Sequence, residues 1–145
     1  MKKGFSLLTA VIFLVVVATI SMLALSLSTQ SAKQTTDDYL KVQAELLAKS
    51  GTEFALLAMS GHDYSANCLN SLDIKYPTNT ANYTRDINIT IHYLGNGLPT
   101  GCNSYANNIA TSDSNRTVII DTIVTTNPNI ATESIRLHRR TIQKP

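Results

Sequence analysis

The chain has 145 residues, with 12 Lys+Arg against 10 Asp+Glu, two cysteines and no tryptophan. Mean hydropathy is close to zero, at +0.01, yet the 29 positions from Gly4 to Ala32 carry no charge at all. Setting residues 1–32 aside leaves 145 − 32 = 113 residues, enough for one small domain, which excludes a two-domain enzyme, while the apolar runs in that remainder exclude a disordered chain.

The charge excess belongs to the first four residues. Without Lys2 and Lys3 the balance is 10 against 10, so net charge gives no reason to expect a nucleic-acid partner. From Leu7 to Leu27 the chain is mostly Leu, Val, Ile and Ala. A cleaved secretory signal has an apolar core of about 7–15 residues, and this one is too long. A permanent anchor needs about 20 and fits, with Lys2 and Lys3 holding the N-terminus in the cytoplasm.

Helical patterning continues beyond the membrane-length stretch. No Pro precedes Pro77, and no Gly lies between Gly4 and Gly51. Leu40, Ala44, Leu47, Gly51, Phe54 and Ala58 then recur at steps of four and three, which predicts an amphipathic second half ending near Ser60–Gly61. One helix from about Phe5 to Ser60 would be about 84 Å long.

After Gly61, Asn, Thr and Ser become abundant and three strands are predicted. Ile87, Ile89, Ile91 and Tyr93 alternate with polar residues. Leu94–Gly101 reads as a loop, Val118–Val124 as a more central strand around Asp121, Asn127-Pro128-Asn129 as a turn, and Ser134–Ile142 as the third strand. Short turns make the sheet antiparallel, and its apolar face would cover the Leu40–Ala58 stripe. The predicted fold class is α+β.

The start Lys-Lys-Gly-Phe-Ser-Leu-Leu, followed by Thr-Ala-Val-Ile-Phe-Leu-Val-Val, resembles the N-terminus of type IV prepilins and type II secretion pseudopilins. The resemblance implies a leader of residues 1–4, cut by a prepilin peptidase that reads Lys3, Gly4 and Phe5, and N-methylation of Phe5. It implies a transmembrane and filament-core helix over 5–32 and a periplasmic head over 33–145, helical to about residue 60 and then β-rich. One helix on one antiparallel sheet is the arrangement of pilin heads. The implied location is the inner membrane, single-pass, and later the filament or cell surface. The implied partners are other minor and major pilins or pseudopilins, the peptidase and the inner-membrane assembly platform.

One position departs from the family. Most members carry Glu four residues after the mature N-terminus, where it neutralises a neighbour's amine and fixes axial register in an apolar bundle. Here the register position is Thr9, and the first acidic residue is Asp37. The Thr9 hydroxyl is expected to bond the Phe5 carbonyl one turn back. Such a chain suits a filament tip, where the K subunit of type II secretion also lacks the Glu. The resemblance therefore implies a minor, tip or initiating subunit.

Cys68 and Cys102 are the two cysteines, and in an oxidising periplasm they are expected to close a disulfide loop. Their spacing with His62 or His92 matches no metal motif, and no cofactor is expected. No nucleophile motif, phosphate loop or metal-spaced carboxylate pair occurs, so no enzymatic activity is expected. Three features remain. Arg136, Arg139, Arg140 and Lys144 form a basic C-terminal run, readable as a DNA contact in uptake or as a charge-protected edge strand. Asn88 and Asn115 head acceptor tripeptides with Asp86 and Asp113 two positions earlier, readable as glycosylation sites or as chance; Asn82 heads a third without that acid. Tyr76, Tyr83, Tyr93 and Tyr105 are either a contact surface or packing over the sheet. A DNA-binding minor pilin and a single-span anchored periplasmic protein stand as alternatives to the filament subunit.

Overall fold

The computed structural model of the protein describes residues 3–78, 82–109, 116–129 and 134–144. One helix, α1 (Lys3–Ser60), precedes five strands: β1 (Ser71–Tyr76), β2 (Arg85–Gly95), β3 (Ser104–Ala106), β4 (Arg116–Thr126) and β5 (Arg136–Gln143). The chain divides into two units, Met1–Tyr39 and Leu40–Pro145.

The first unit is the apolar part of α1. Its most apolar 18-residue stretch has a mean hydropathy of 2.7 and is covered by no other described residue, so the helix is long and apolar enough to cross a membrane. Several of its hydroxyls bond within the helix. Thr19 donates to the Val16 carbonyl at 2.8 Å, Ser21 to Val17 at 2.8 Å and Thr29 to Ser26 at 2.9 Å. Back-bonding of this kind lets Ser and Thr sit in an apolar helix at little cost.

In the second unit the rest of α1 packs on a sheet of order β1-β2-β4-β5, antiparallel throughout, with β3 paired in parallel to β2 beside β1. The expected α+β arrangement of a helix on an antiparallel sheet is present. Two strands escaped the sequence reading. β1 (Ser-Leu-Asp-Ile-Lys-Tyr) alternates over only six residues and is half-exposed, and β3 has three residues, too few for a periodic signal. The predicted loop also begins later, because β2 runs on through Leu94 and Gly95. The third predicted strand starts at Arg136 rather than Ser134.

Alternation places Ile87, Ile89, Ile91 and Tyr93 of β2, and Val118, Ile120, Thr122 and Val124 of β4, in the core with Ala44, Ala48, Ala55 and Met59 of α1. The helical seam differs from the expected one. Phe54 is 49% exposed while Ala55 is fully buried, because the buried positions Ala44, Ala48, Thr52, Ala55 and Met59 follow one another at steps of four, four, three and four. Small residues win the seam since they let the helix axis approach the sheet. A Cβ on Gly51 would lie 3.1 Å from Ile87 Cγ2 and 3.4 Å from Ile89 Cδ1. At the next residue the Thr52 and Thr122 hydroxyls meet at 3.1 Å, and Thr52 also donates to the Ala48 carbonyl.

α1 stops at Ser60, where the amides of Gly61 and His62 bond the Leu57 and Met59 carbonyls. The segment after it is tied to the β2–β3 loop. Asn70 Nδ2 donates to the Gly101 carbonyl at 2.8 Å, and the Asn103 amide donates to Asn70 Oδ1 at 3.0 Å. The Cys68–Cys102 disulfide lies between these bonds, as expected from the sequence, and spans 34 residues. At the opposite end of β4, the predicted turn is held by Asn127, whose side chain accepts from the Asn129 amide and donates to the Tyr83 carbonyl.

Candidate functional site

The chain offers three surfaces or clusters to which a role can be attached: the apolar helix, the outward face of the head helix, and the basic strand β5.

On the apolar helix, α1 begins at Lys3, so the Gly4–Phe5 bond lies in its first turn; the side chains of Lys3, Gly4 and Phe5 lie outside the described residues. Thr9 donates to the Ser6 carbonyl at 3.0 Å, the same back-bonding as at Thr19 and Thr29. The hydroxyl therefore satisfies itself within the helix and presents no charge to a neighbour.

The head helix also leaves several large apolar side chains exposed. Val42, Leu46, Phe54 and Leu57 are 57%, 60%, 49% and 68% exposed, while Ala44, Ala48 and Ala55 are buried against the sheet. At 3.6 residues per turn, Val42, Leu46 and Leu57 fall on the side of the helix away from the sheet, with Phe54 at their flank. Lys49, Ser50 and Glu53 are exposed on the same side, between Leu46 and Leu57. The sequence pattern supplied only the inner stripe, because one 3–4 spacing was assigned to Phe54 that the fold gives to Ala55.

The basic run on β5 does not form one surface. Alternation puts Arg136, His138 and Arg140 on the sheet face away from α1, and Arg139 on the face toward it. Arg140 is also engaged. Its Nε donates to Asp121 Oδ1 at 2.7 Å and its Nη2 to Oδ2 at 2.9 Å, while His138 Nε2 lies 2.8 Å from Oδ1. Register explains this, since Asp121 of β4 is paired with Arg140, and Ile123, the partner of His138, is the next β4 residue on the same face. An acid among β-branched residues signals a counter-ion, but only the pairing of β4 with β5 says which. Arg136 and Arg140 thus share one face of the sheet, with Arg139 on the other.

Those hydrogen bonds, Arg140 first, hold the Asp121 carboxyl below its ordinary value against the opposing effect of burial. A depressed folded-state pKa stabilises the fold above the unfolded value near 4, and that contribution is lost as pH falls through the folded pKa. Asp121→Asn is accordingly expected to flatten the dependence of the urea midpoint on pH below about pH 4. Chemical denaturation of both proteins in detergent micelles at neutral and acid pH checks this, and parallel curves would contradict it.

Arg85 has no counterpart in the sequence reading. It is 1% exposed, and its guanidinium donates to Thr126 Oγ1 at 2.8 Å, the Leu40 carbonyl at 3.1 Å and Gln43 Oε1 at 3.4 Å. No carboxylate is among these partners, and burial lowers its pKa.

The remaining expected positions are scattered. Asn88 is exposed in the middle of β2 and its amide donates to Asp73 at 2.6 Å; Asn115 lies outside the described residues. Of the four tyrosines only Tyr93 fills the core, its hydroxyl donating to the Leu69 carbonyl, and burial raises its pKa. Tyr83 lies under Lys75. Tyr76 and Tyr105 are exposed, and Tyr105 stacks on His92. Tyr93 is buried in the core, Tyr105 stacks on the outward His92, and Tyr83 precedes β2, so the four are not gathered on one surface. Among the described residues, no three of His, Cys, Asp and Glu come together as a metal site would require. The chain matches no family model, no curated protein and no solved structure.

Proposed function

We propose that the chain is a structural subunit of a type IV filament system, a minor pilin or pseudopilin that initiates or caps the filament. The observation that carries this reading is the doubly apolar helix. Its N-terminal part is apolar on every side and covered by nothing among the described residues, and its head part buries one stripe on the sheet while leaving Val42, Leu46 and Leu57 exposed on the other side. A membrane anchor accounts for the first feature and leaves the second without a use. Side-by-side packing of helices from several subunits gives both a cover.

In this reading Lys3 and Gly4 are read by the peptidase in the inner membrane, and Phe5 becomes the methylated N-terminus. The apolar helix then leaves lipid for neighbouring helices, an exchange between environments of similar polarity. Thr9 contributes no carboxylate to a neighbour's amine, which suits the last position rather than the shaft. The head faces the periplasm, where the disulfide forms. Secretion pseudopili and retractile pili share this chemistry.

Two measurements on the native protein test the proposal together. The N-terminal peptide is expected to begin at Phe5 with one added methyl. Lys in place of both Leu46 and Leu57 is expected to leave membrane retention and head folding intact while reducing incorporation into filaments at least about tenfold, since each Lys would be desolvated in the packed helices. A chain beginning at Met1, and a Gly4→Ser variant with unchanged processing and function, would instead identify a single-span anchored protein.

A further inference from the structure

A half-open cleft of about 260 Å³ lies where the end of α1 meets β2 and β4, lined by Met59, Ser60, His62, Tyr64, Tyr93 and Arg116. Met59 and Tyr93, each 1% exposed, are its buried part. The Tyr64 ring meets His62 edge-on at 5.0 Å and Tyr93 edge-on at 6.3 Å, and the Arg116 guanidinium lies over it at 5.0 Å. These side chains are fixed from outside the cleft. The Tyr93 hydroxyl donates to the Leu69 carbonyl at 2.7 Å, and His62 Nε2 lies 3.1 Å from Asn67 Oδ1. The Cys68–Cys102 disulfide ties the segment after α1 to the loop that follows β2. A concave, preformed and mainly apolar site with few polar groups is the usual form of a small-molecule site.

We propose that this cleft binds a small aromatic carboxylate, its ring against Met59, Tyr64 and Tyr93 and its carboxylate accepting from the Arg116 guanidinium. Charge selects the anion. None of the six lining residues is acidic, so Arg116 gives the lining a net positive charge. Asp63, between His62 and Tyr64 in sequence, is exposed outside the lining, and its carboxylate accepts from the Ser65 amide at 2.9 Å. A helix C-terminus favours cations, but here the Leu57 and Met59 carbonyls already accept from the Gly61 and His62 amides. Arg116 also holds the cation position over Tyr64. Stacking there engages the face of the guanidinium, whose five N–H donors lie in its plane and bind a carboxylate edge-on. Tyrosine rings and a thioether favour an aromatic guest over an aliphatic one. The volume is below the about 300–1,000 Å³ of sites for drug-sized ligands, which limits the guest to about one or two rings. The cleft lies wholly within the Leu40–Pro145 unit, so this inference stands independently of how the apolar helix is used.

The test titrates naphthoate into the full isotope-labelled chain in detergent micelles and reads amide chemical shifts. Naphthoate is expected to shift the amides of His62, Tyr64, Tyr93 and Arg116 saturably, with a Kd below about 1 mM. Naphthamide has the same rings without the charge and is expected to bind at least about tenfold more weakly. Decahydronaphthoate keeps the charge without the aromatic faces and is expected to bind at least about threefold more weakly. Arg116→Gln should weaken naphthoate about tenfold or more while leaving naphthamide unchanged, whereas Tyr64→Leu should weaken both. Unchanged urea midpoints would show the variants folded, and the three ligands on the unaltered chain test the proposal without them. A Kd above about 1 mM for naphthoate, equal binding of either control, or indifference of a folded Arg116→Gln chain would overturn it. So would shifts confined to the apolar part of α1, which would mark uptake into the micelle only.

Discussion

Replacing Cys68 and Cys102 together by Ala is expected to destabilise the head by about 3–4 kcal/mol, a large share of what a domain of this size possesses. The loop closed by the bridge spans 34 residues, and the chain-entropy model assigns most of the effect to the denatured state, which gains freedom when the link is cut. Native contacts should survive the change. The Asn70 side chain still holds Gly101 and Asn103 at 2.8 and 3.0 Å, and the Tyr93 amide still donates to the Asn103 carbonyl. The variant should therefore show the same circular dichroism as the parent and a lower urea midpoint. Reduction of the parent with dithiothreitol should reproduce the shift. A loss below about 1 kcal/mol would mean that the denatured chain is already held compact around these segments.

Arg85→Ala is expected to cost about 3 kcal/mol, and Arg85→Met less than half of that. The side chain is 1% exposed, so truncation to Ala leaves a cavity in the wall between α1 and β2. The hydrogen bonds matter less than the volume. Thr126 Oγ1 also donates to the Ile135 carbonyl and accepts from the Ile135 amide, so it stays satisfied without Arg85. Met refills most of the space and removes a buried cation that no carboxylate among the described residues compensates, a replacement that is often neutral or stabilising. Thermal and urea unfolding of the two variants separate the effects. Equal losses would show that the guanidinium's bonds to Leu40 and Gln43, rather than its bulk, fasten the helix to the sheet.

The parts of this protein that were legible in the sequence rest on local, repeated signals. An uncharged run of 29 residues can be read as a membrane-length helix without reference to anything else. The alternation of Ile87, Ile89 and Ile91, and the β-branched run around Asp121, mark strands for the same reason. Two cysteines in a head of this size leave one intramolecular pairing. Each of these readings needs only the chemistry of neighbouring residues.

What stayed hidden depends on which segments meet. The partners of Asp121 follow from the register of β4 against β5, and no periodicity in either strand contains that register. The exchange of Phe54 for Ala55 in the buried seam came from the closeness of helix to sheet, a distance set by Gly51 and Thr52 against Ile87, Ile89 and Thr122. That exchange left Phe54 outside, among the exposed apolar residues on which the assembly proposal rests. The basic run looked like one feature because its members are adjacent in sequence. A strand turns successive side chains to opposite faces, and so divided Arg139 from Arg136 and Arg140. By itself, the sequence determined the elements: a long apolar helix, a small β-rich head and the cysteines to tie it. Only the tertiary structure decided which faces are covered, which charges are compensated and which edge is left open, because burial and pairing are properties of segments far apart in the chain.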